Sequence, residues 1–417
     1  MINNTNKTNS LPPIKNTLRV YLNQTLVGTI SRLQDDRNLF LFDQSYIRNP
    51  KRPTLSLSFK DTDGELITEN KITKTQLPPF FSNLLPEGYL RDYLATKQNI
   101  KPQREFFLLM ALGQDLPGAT RIESVTGTDA EQTVDKTVVT HKSDDLRFSL
   151  AGIQLKFSAV METSGGLTIP DQGIGGAWIV KLPSNVFANV PQAEYSMLKL
   201  AREAGIEVPE FKLVPTKKIH NLPDDIPQTI GDSLAVKRFD RLENGKRVHM
   251  EDFAQVFGLQ PNDKYKHVSY DQIAKVLWLE TGENGFTQFI QRLVFSLAVG
   301  NGDMHLKNWS LLYKDGINPT LSPAYDLVPT FLYVHNDNLA LNLGKTKDFN
   351  QINLDNFKRL AARAMAPERL VTHTVKTSIA RIQQAWESLH QDLPLPDVDI
   401  KKIEKHMESL PLFKTAR

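Results

Sequence analysis

The 417-residue sequence has no cysteine. That absence excludes a disulfide scaffold, a thiolate metal site and a cysteine nucleophile. Long apolar runs are missing too: Phe106–Leu112 and Leu293–Val299 reach only about a third of the ~20 residues a membrane-spanning helix needs. Neither sign of charge dominates, since 50 basic against 47 acidic residues leave +3 at pH 7. The balance neither demands nor excludes a nucleic-acid partner. The stretch Met1–Pro12 is rich in Asn, Thr and Ser and has no apolar core of the signal-peptide kind. These features predict a cytoplasmic protein with no membrane association. What remains is a chain with 40% apolar residues, long enough for two or three folding units.

Short β-type runs open the chain, at Leu18–Leu22, Leu39–Phe42 and Leu55–Phe59. A proline-broken helical part follows, through Leu84-Leu85-Pro86-Glu87-Gly88 to the apolar Phe106–Leu112 and its glycine stop, Gly113. Glu123–Asp145 is polar and reads as a boundary or loop. From Arg147 to Asp240 strands predominate around one helix, which Pro191 opens and Gly205 closes. Strands are predicted at Phe157–Val160, Trp178–Lys181, Phe211–Val214 and Leu234–Phe239.

Beyond Asp240 the pattern is helical. Ser269 and Gln272 form a capping-box signature. Phe286, Phe289, Ile290, Leu293, Val294 and Leu297 recur at helical spacing, as do Val375, Ile379, Ile382, Trp386 and Leu389. The expected fold is α+β and two-lobed, of protein-kinase-like type. Its expected parts are an added N-terminal β-rich subdomain (1–125), a β-rich N-lobe region (126–245) and a mostly helical C-terminal lobe (246–417).

The chemistry concentrates in Val299–Asn308, a polar loop directly after an apolar helix. Asp303 and Asn308 lie five apart, the spacing of a kinase catalytic loop between its base and a metal-binding amide. Trp309–Tyr313 and the turn Lys314-Asp315-Gly316 then suggest a hairpin that returns the chain through Tyr325 to Asp326. Asn308 and Asp326 offer the hard oxygen donors that Mg²⁺ prefers. A helix end followed by a solvated turn would show the same residue types. The hairpin and the second aspartate favour the catalytic reading.

Phosphate needs a cation from the other lobe. Lys181 closes an apolar strand, and Glu194 on the first turn of the next helix can pair with it; alone, the two could be an edge lysine and a helix-dipole partner. No G-x-G-x-x-G is present. A small-residue turn, Ser149 to Lys156, stands in its place, with Gly152 permitting close backbone approach and Lys156 adding charge. Lys237-Arg238-Phe239, where the lobes would join, could offer backbone groups to an adenine edge.

Four motifs in order make the chain resemble the HipA family of toxin serine/threonine kinases. They are S-x-A-G-x-Q-x-K at Ser149–Lys156, R-F-D-R at Arg238–Arg241, G-N-x-D-x-H-x-K-N at Gly300–Asn308, and Tyr325-Asp326. Leu84–Gly88 matches the family's N-terminal subdomain. The resemblance implies ATP contacts at Ala151, Gly152, Ile153, Gln154, Leu155, Lys156, Lys181, Lys237, Arg238, Phe239, His305, Lys307, Asn308, Tyr325 and Asp326. Asp303 would be the base, and Ser149 an inhibitory autophosphorylation site. It also implies a helix-turn-helix antitoxin partner of HipB type, through which DNA is bound indirectly, and a translation component such as an aminoacyl-tRNA synthetase as substrate. Leu155 and Gly302 depart from the family pattern, which commonly has a polar residue and Thr there.

Two other readings stand beside this one. Small-molecule phosphotransferases of the aminoglycoside or choline kinase type also carry G-D-x-H-x-x-N, but lack the Ser149 motif. A non-catalytic corepressor module would not need the catalytic groups.

Overall fold

A computed structural model describes residues 14–414 except 70, 126–155, 163–165, 170–174, 185, 223–230 and 244. Ser149, Ala151, Gly152, Ile153, Gln154 and Leu155 therefore lie outside the described residues.

The first sheet is antiparallel and contains β1 (Ile14–Leu22), β2 (Thr25–Leu33), β3 (Asn38–Phe42), β4 (Lys71–Thr73) and β5 (Thr120–Ser124), in the order β4-β3-β2-β1-β5. Alternation in β1 buries Leu18, Val20 and Leu22, which share one apolar cluster with Phe80, Phe81, Phe106 and Leu109 from the helical segments that follow. One expected strand is absent. Leu57–Phe59 is a 3₁₀ turn because the Ser56 hydroxyl accepts the Ser58 N–H at 3.1 Å and draws the backbone round.

The second sheet contains β6 (Lys156–Met161), β7 (Leu167–Thr168), β8 (Trp178–Lys181), β9 (Phe211–Pro215), β10 (Ile219–His220) and β11 (Asp232–Lys237), in the order β10-β7-β6-β8-β11-β9. The helix Val190–Glu203 packs on β9 and β11. A third, small sheet joins β12 (His249–Asp252), β13 (Ser310–Tyr313) and β14 (Thr320–Leu321). The helix Tyr270–Ala298 packs on β14, and Leu354–Ala364 and Glu368–Leu389 pack on that helix. The capping box at Ser269 and Gln272 is formed, and Gly282 (φ 63°) interrupts the first of these helices. Its stripe from Phe286 to Leu297 is buried in the largest core cluster. The two-lobed α+β kinase-like architecture expected from the sequence is the architecture present.

Among the polar joints that fasten the N-terminal sheet unit to the rest, two are buried clusters. Arg238 and Arg241 reach Asp240 at 2.9 and 2.7 Å and Asp115 at 3.3 and 2.8 Å in a buried cluster, with Arg247 3.9 Å from Asp115 at its edge. Asp240 also accepts the Gly118 N–H at 2.8 Å. In the second joint, His249 Nε2–H donates to the Leu55 carbonyl at 2.7 Å, while the Glu251 carboxylate accepts the Leu57 N–H at 3.0 Å and the Tyr313 hydroxyl at 2.5 Å. Burial pushes Glu251 up to about 7 and His249 down to about 4 from its ordinary 6.5.

His249 stays neutral in the fold but protonates near pH 6.5 once unfolded. Acidification from 6.5 to 4 therefore favours the unfolded chain. Wild type should lose on the order of 3 kcal/mol more than His249→Gln over that range, in urea titrations at each pH. A difference between the two that is flat with pH would refute this.

Candidate active site

Lys181 ends β8, which pairs with β6 so that Lys156 and Lys181 are register partners. Both lysines turn toward Asp326. The Lys156 amine lies 3.8 Å from Oδ2, and the Lys181 amine donates to Oδ1. Lys181 also donates to both oxygens of Glu194, at 2.6 and 2.7 Å. Glu194, the fifth residue of Val190–Glu203, reaches it from that helix and is itself only 1% exposed. A lysine from the sheet lobe is thus held between one carboxylate of its own lobe and one of the other.

Charge is sustained in this triad despite burial. Burial opposes the ammonium of Lys181, but Asp326 and Glu194 outweigh it and raise its pKa beyond the ordinary amine range. Burial likewise opposes the Asp326 anion, and Lys156 and Lys181 overcome it, holding the carboxyl well below the usual carboxylate range. For Glu194, burial comes first and, with the nearby Asp326 charge, raises its pKa in spite of Lys181.

Asp326 adopts a left-handed backbone (φ 53°), uncommon for a side-chain-bearing residue. Asn301 supports the turn by donating to the Asp326 carbonyl at 3.3 Å, and its Oδ1 accepts the Asp303 N–H at 3.1 Å. Asp303 receives the Tyr265 hydroxyl at 2.5 Å. Asn308 Nδ2 donates to the Asp303 carbonyl at 2.8 Å, so the amide oxygen is the end left for a cation. The departure at Gly302 has a local cause. A Cβ there would fall 2.4 Å from the Asp337 carboxylate, which is fixed by Thr330.

His305 is fully sequestered, and burial, aided by Lys264, lowers it to about 3, so the ring is neutral. Its Nδ1 accepts the Lys307 N–H at 3.2 Å, which puts the proton on Nε2. That nitrogen has no hydrogen-bond partner among the described residues. It is a buried donor awaiting an acceptor.

Lys156, Lys181, Glu194, Phe239, His305, Asn308 and Asp326 line one cavity of about 480 Å³. Phe239 is among its lining residues, and its backbone N–H meets no backbone acceptor among the described residues. Lys237, Arg238, Lys307 and Tyr325 line the same cavity, but their side-chain polar groups are engaged by other protein groups. Lys237 points outward to Glu210 and Glu243, at 3.2 and 3.4 Å. Arg238 belongs to the buried cluster with Asp115 and Asp240, because a desolvated guanidinium is costly unless paired. Lys307 is consumed by Asn83, Glu87 and Asp252. The Tyr325 hydroxyl is hydrogen-bonded to Ser310 and the Lys307 carbonyl, bracing the hairpin from behind.

Sequence reasoning missed Asp115, Glu87, Lys264 and Tyr265. Glu87 lay inside a recognised motif; the other three carried no local signal.

Among the described residues no three His, Asp or Glu side chains gather as a metal cage. One carboxylate and one amide oxygen suit Mg²⁺ nonetheless, because that ion keeps several waters and takes substrate phosphates as ligands.

A two-lobed kinase fold with these groups at its cleft defines the class. The model of the HipA-like C-terminal domain matches residues 148–386, and that of the HipA N-terminal domain matches 18–123. The chain belongs to the HipA family of kinases. It is 47% identical over 391 residues to a Sinorhizobium fredii protein, Y4dM, that bears a kinase name, covering 93% of this chain and 95% of that one. It is 24% identical over 444 residues to the serine/threonine-protein kinase toxin HipA of Shewanella oneidensis, covering 96% and 95%. A solved Shewanella oneidensis complex of HipA, HipB and operator DNA shares the fold with TM-score 0.72 at 21% identity, over 96% of this chain and 99% of that one.

Lys181→Met leaves Glu194 and Asp326 as buried carboxylates without the cation between them. The variant should lose about 3–5 kcal/mol in urea denaturation at pH 7. The deficit should shrink below about pH 5, where protonation relieves the repulsion. A deficit that does not vary with pH would argue against the triad.

Proposed function

We propose that the chain is an ATP- and Mg²⁺-dependent serine/threonine protein kinase and the toxin of a toxin–antitoxin pair. The observation that carries the enzymatic reading is the meeting of Lys181, Glu194 and Asp326 across the cleft, with Asn308 and His305 lining the same cavity and Asp303 on the loop that carries them.

In this reading the Phe239 N–H takes the adenine edge, and Lys156, Lys181 and the Nε2–H of His305 face phosphate oxygens. Asn308 and Asp326 would hold Mg²⁺, which when bound neutralises phosphate charge. Asp303 accepts the proton of the acceptor hydroxyl as its oxygen forms the new bond to the γ-phosphorus and the bond to the β-phosphate bridging oxygen breaks, releasing ADP. Lys181 and Glu194 position and do not exchange protons.

The toxin role, a helix-turn-helix antitoxin of HipB type, and DNA binding through it are supported by the name and assembly of the Shewanella relative. An aminoacyl-tRNA synthetase as acceptor and Ser149 as an inhibitory autophosphorylation site follow from the family likeness. A phosphate at Ser149 would compete with the nucleotide for Lys156 and Lys181.

Asp303→Asn should lower phosphoryl transfer by about 10²–10⁴-fold while ATP affinity by calorimetry stays within about twofold. Undiminished transfer would remove Asp303 from the role. Ser149→Ala should lose self-labelling from radiolabelled ATP and keep labelling of a synthetase panel. Labelling of amino alcohols or sugars with none of proteins would move the chain to the small-molecule phosphotransferases.

A further inference from the structure

The segment Lys264-Tyr265 stands just before the long helix, and nothing in its sequence marks it. It touches the catalytic loop at three points. The Lys264 carbonyl accepts the Leu306 N–H at 3.2 Å. The Tyr265 ring stands edge-on to His305, centroids 5.0 Å apart. Its hydroxyl donates to Asp303 Oδ1 at 2.5 Å.

This segment is in turn tethered to the N-terminal part of the chain. The Lys264 amine lies 2.6 Å from Glu87 Oε2 and 5.6 Å over the Tyr265 ring. The other oxygen of Glu87 is 3.2 Å from the Lys307 amine. One half-buried carboxylate thus gathers a lysine from each side of the site: one beside the tyrosine, one inside the loop that carries the base.

We infer that Tyr265 is a positioning residue for Asp303, held in place by Glu87 through Lys264. The torsion that turns a carboxylate about its terminal bond has a broad, shallow profile. A phenol bonded to one oxygen fixes the plane of the group, and with it the direction in which the second oxygen faces. A base misaligned by about 1 Å can cost on the order of 10²-fold in rate. Glu87 has the stronger grip because its charge is secured: although burial opposes it, Lys307 and Lys264 hold its carboxyl down at about 2. The N-terminal subdomain therefore supplies part of the order of the catalytic loop, in addition to any surface it offers a partner.

This inference rests on the phosphotransferase reading of the site. The test uses the full-length protein and compares wild type, Tyr265→Phe, Glu87→Gln and the double variant. ADP release is followed at varied ATP, and nucleotide affinity is measured by fluorescence of N-methylanthraniloyl-ATP. Tyr265→Phe keeps the ring against His305 and removes only the hydroxyl. It should lower kcat about tenfold or more and leave KM and affinity for ATP within about twofold. Glu87→Gln should do the same, and the double variant should fall no more than about twofold below the weaker single, because both act on one carboxylate. If Glu87→Gln does not fold, Lys264→Gln takes its place.

A wild type that releases no ADP refutes the phosphotransferase reading, and this inference with it. An active wild type with an equally fast Tyr265→Phe overturns this inference alone. A faster Tyr265→Phe also overturns it, and makes the phenol a competitor of the acceptor hydroxyl. Fully additive losses would cut the link to Glu87.

Discussion

Everything at the cleft depends on one ammonium group. Lys181 is almost wholly removed from water, and it remains charged only because Glu194 and Asp326 supply the stabilisation that water no longer can. The two carboxylates come from different lobes, so the pairing is also a statement about how the lobes sit. Asp326 accepts a strained backbone to reach the position, and Asn301 offsets that strain by holding the adjoining carbonyl.

Much of this was legible in the sequence for a physical reason. Lys181, Asp303, Asn308 and Asp326 sit at places where a local pattern breaks: the end of an apolar strand, the polar loop after an apolar helix, the return of a hairpin. The core helices were equally plain, since the stripe from Phe286 to Leu297 has the period of its own geometry. Leu55–Phe59 misled because its alternation is real, but Ser56 competes for the backbone and turns it. The strand Thr25–Leu33 went unread, as residues of both faces are buried there and alternation is blurred.

The ionic partners were harder. Which carboxylate meets which guanidinium can be settled by folding across long separations, so Asp115 could not be paired with Arg238 and Arg241 from spacing alone. Arg238, Lys237 and Lys307 illustrate the same limit from the other side. A cation inside a motif does not announce its side-chain partners, and in the fold those three have carboxylates of their own. His305 is the contrary case, a buried ring whose one donor nitrogen is unmatched among the described residues.

The buried cluster of Asp115, Asp240, Arg238 and Arg241 carries an implication for how such a chain can be divided. Cutting between the first sheet unit and the rest would strip Asp115 from two guanidinium groups packed away from solvent, leaving an excess of positive charge in an apolar seam. Neither fragment would be a natural independent unit, and shuffling the first segment among relatives would succeed only where an acid is kept at that one position. The seam makes the two parts of the chain a single inheritance.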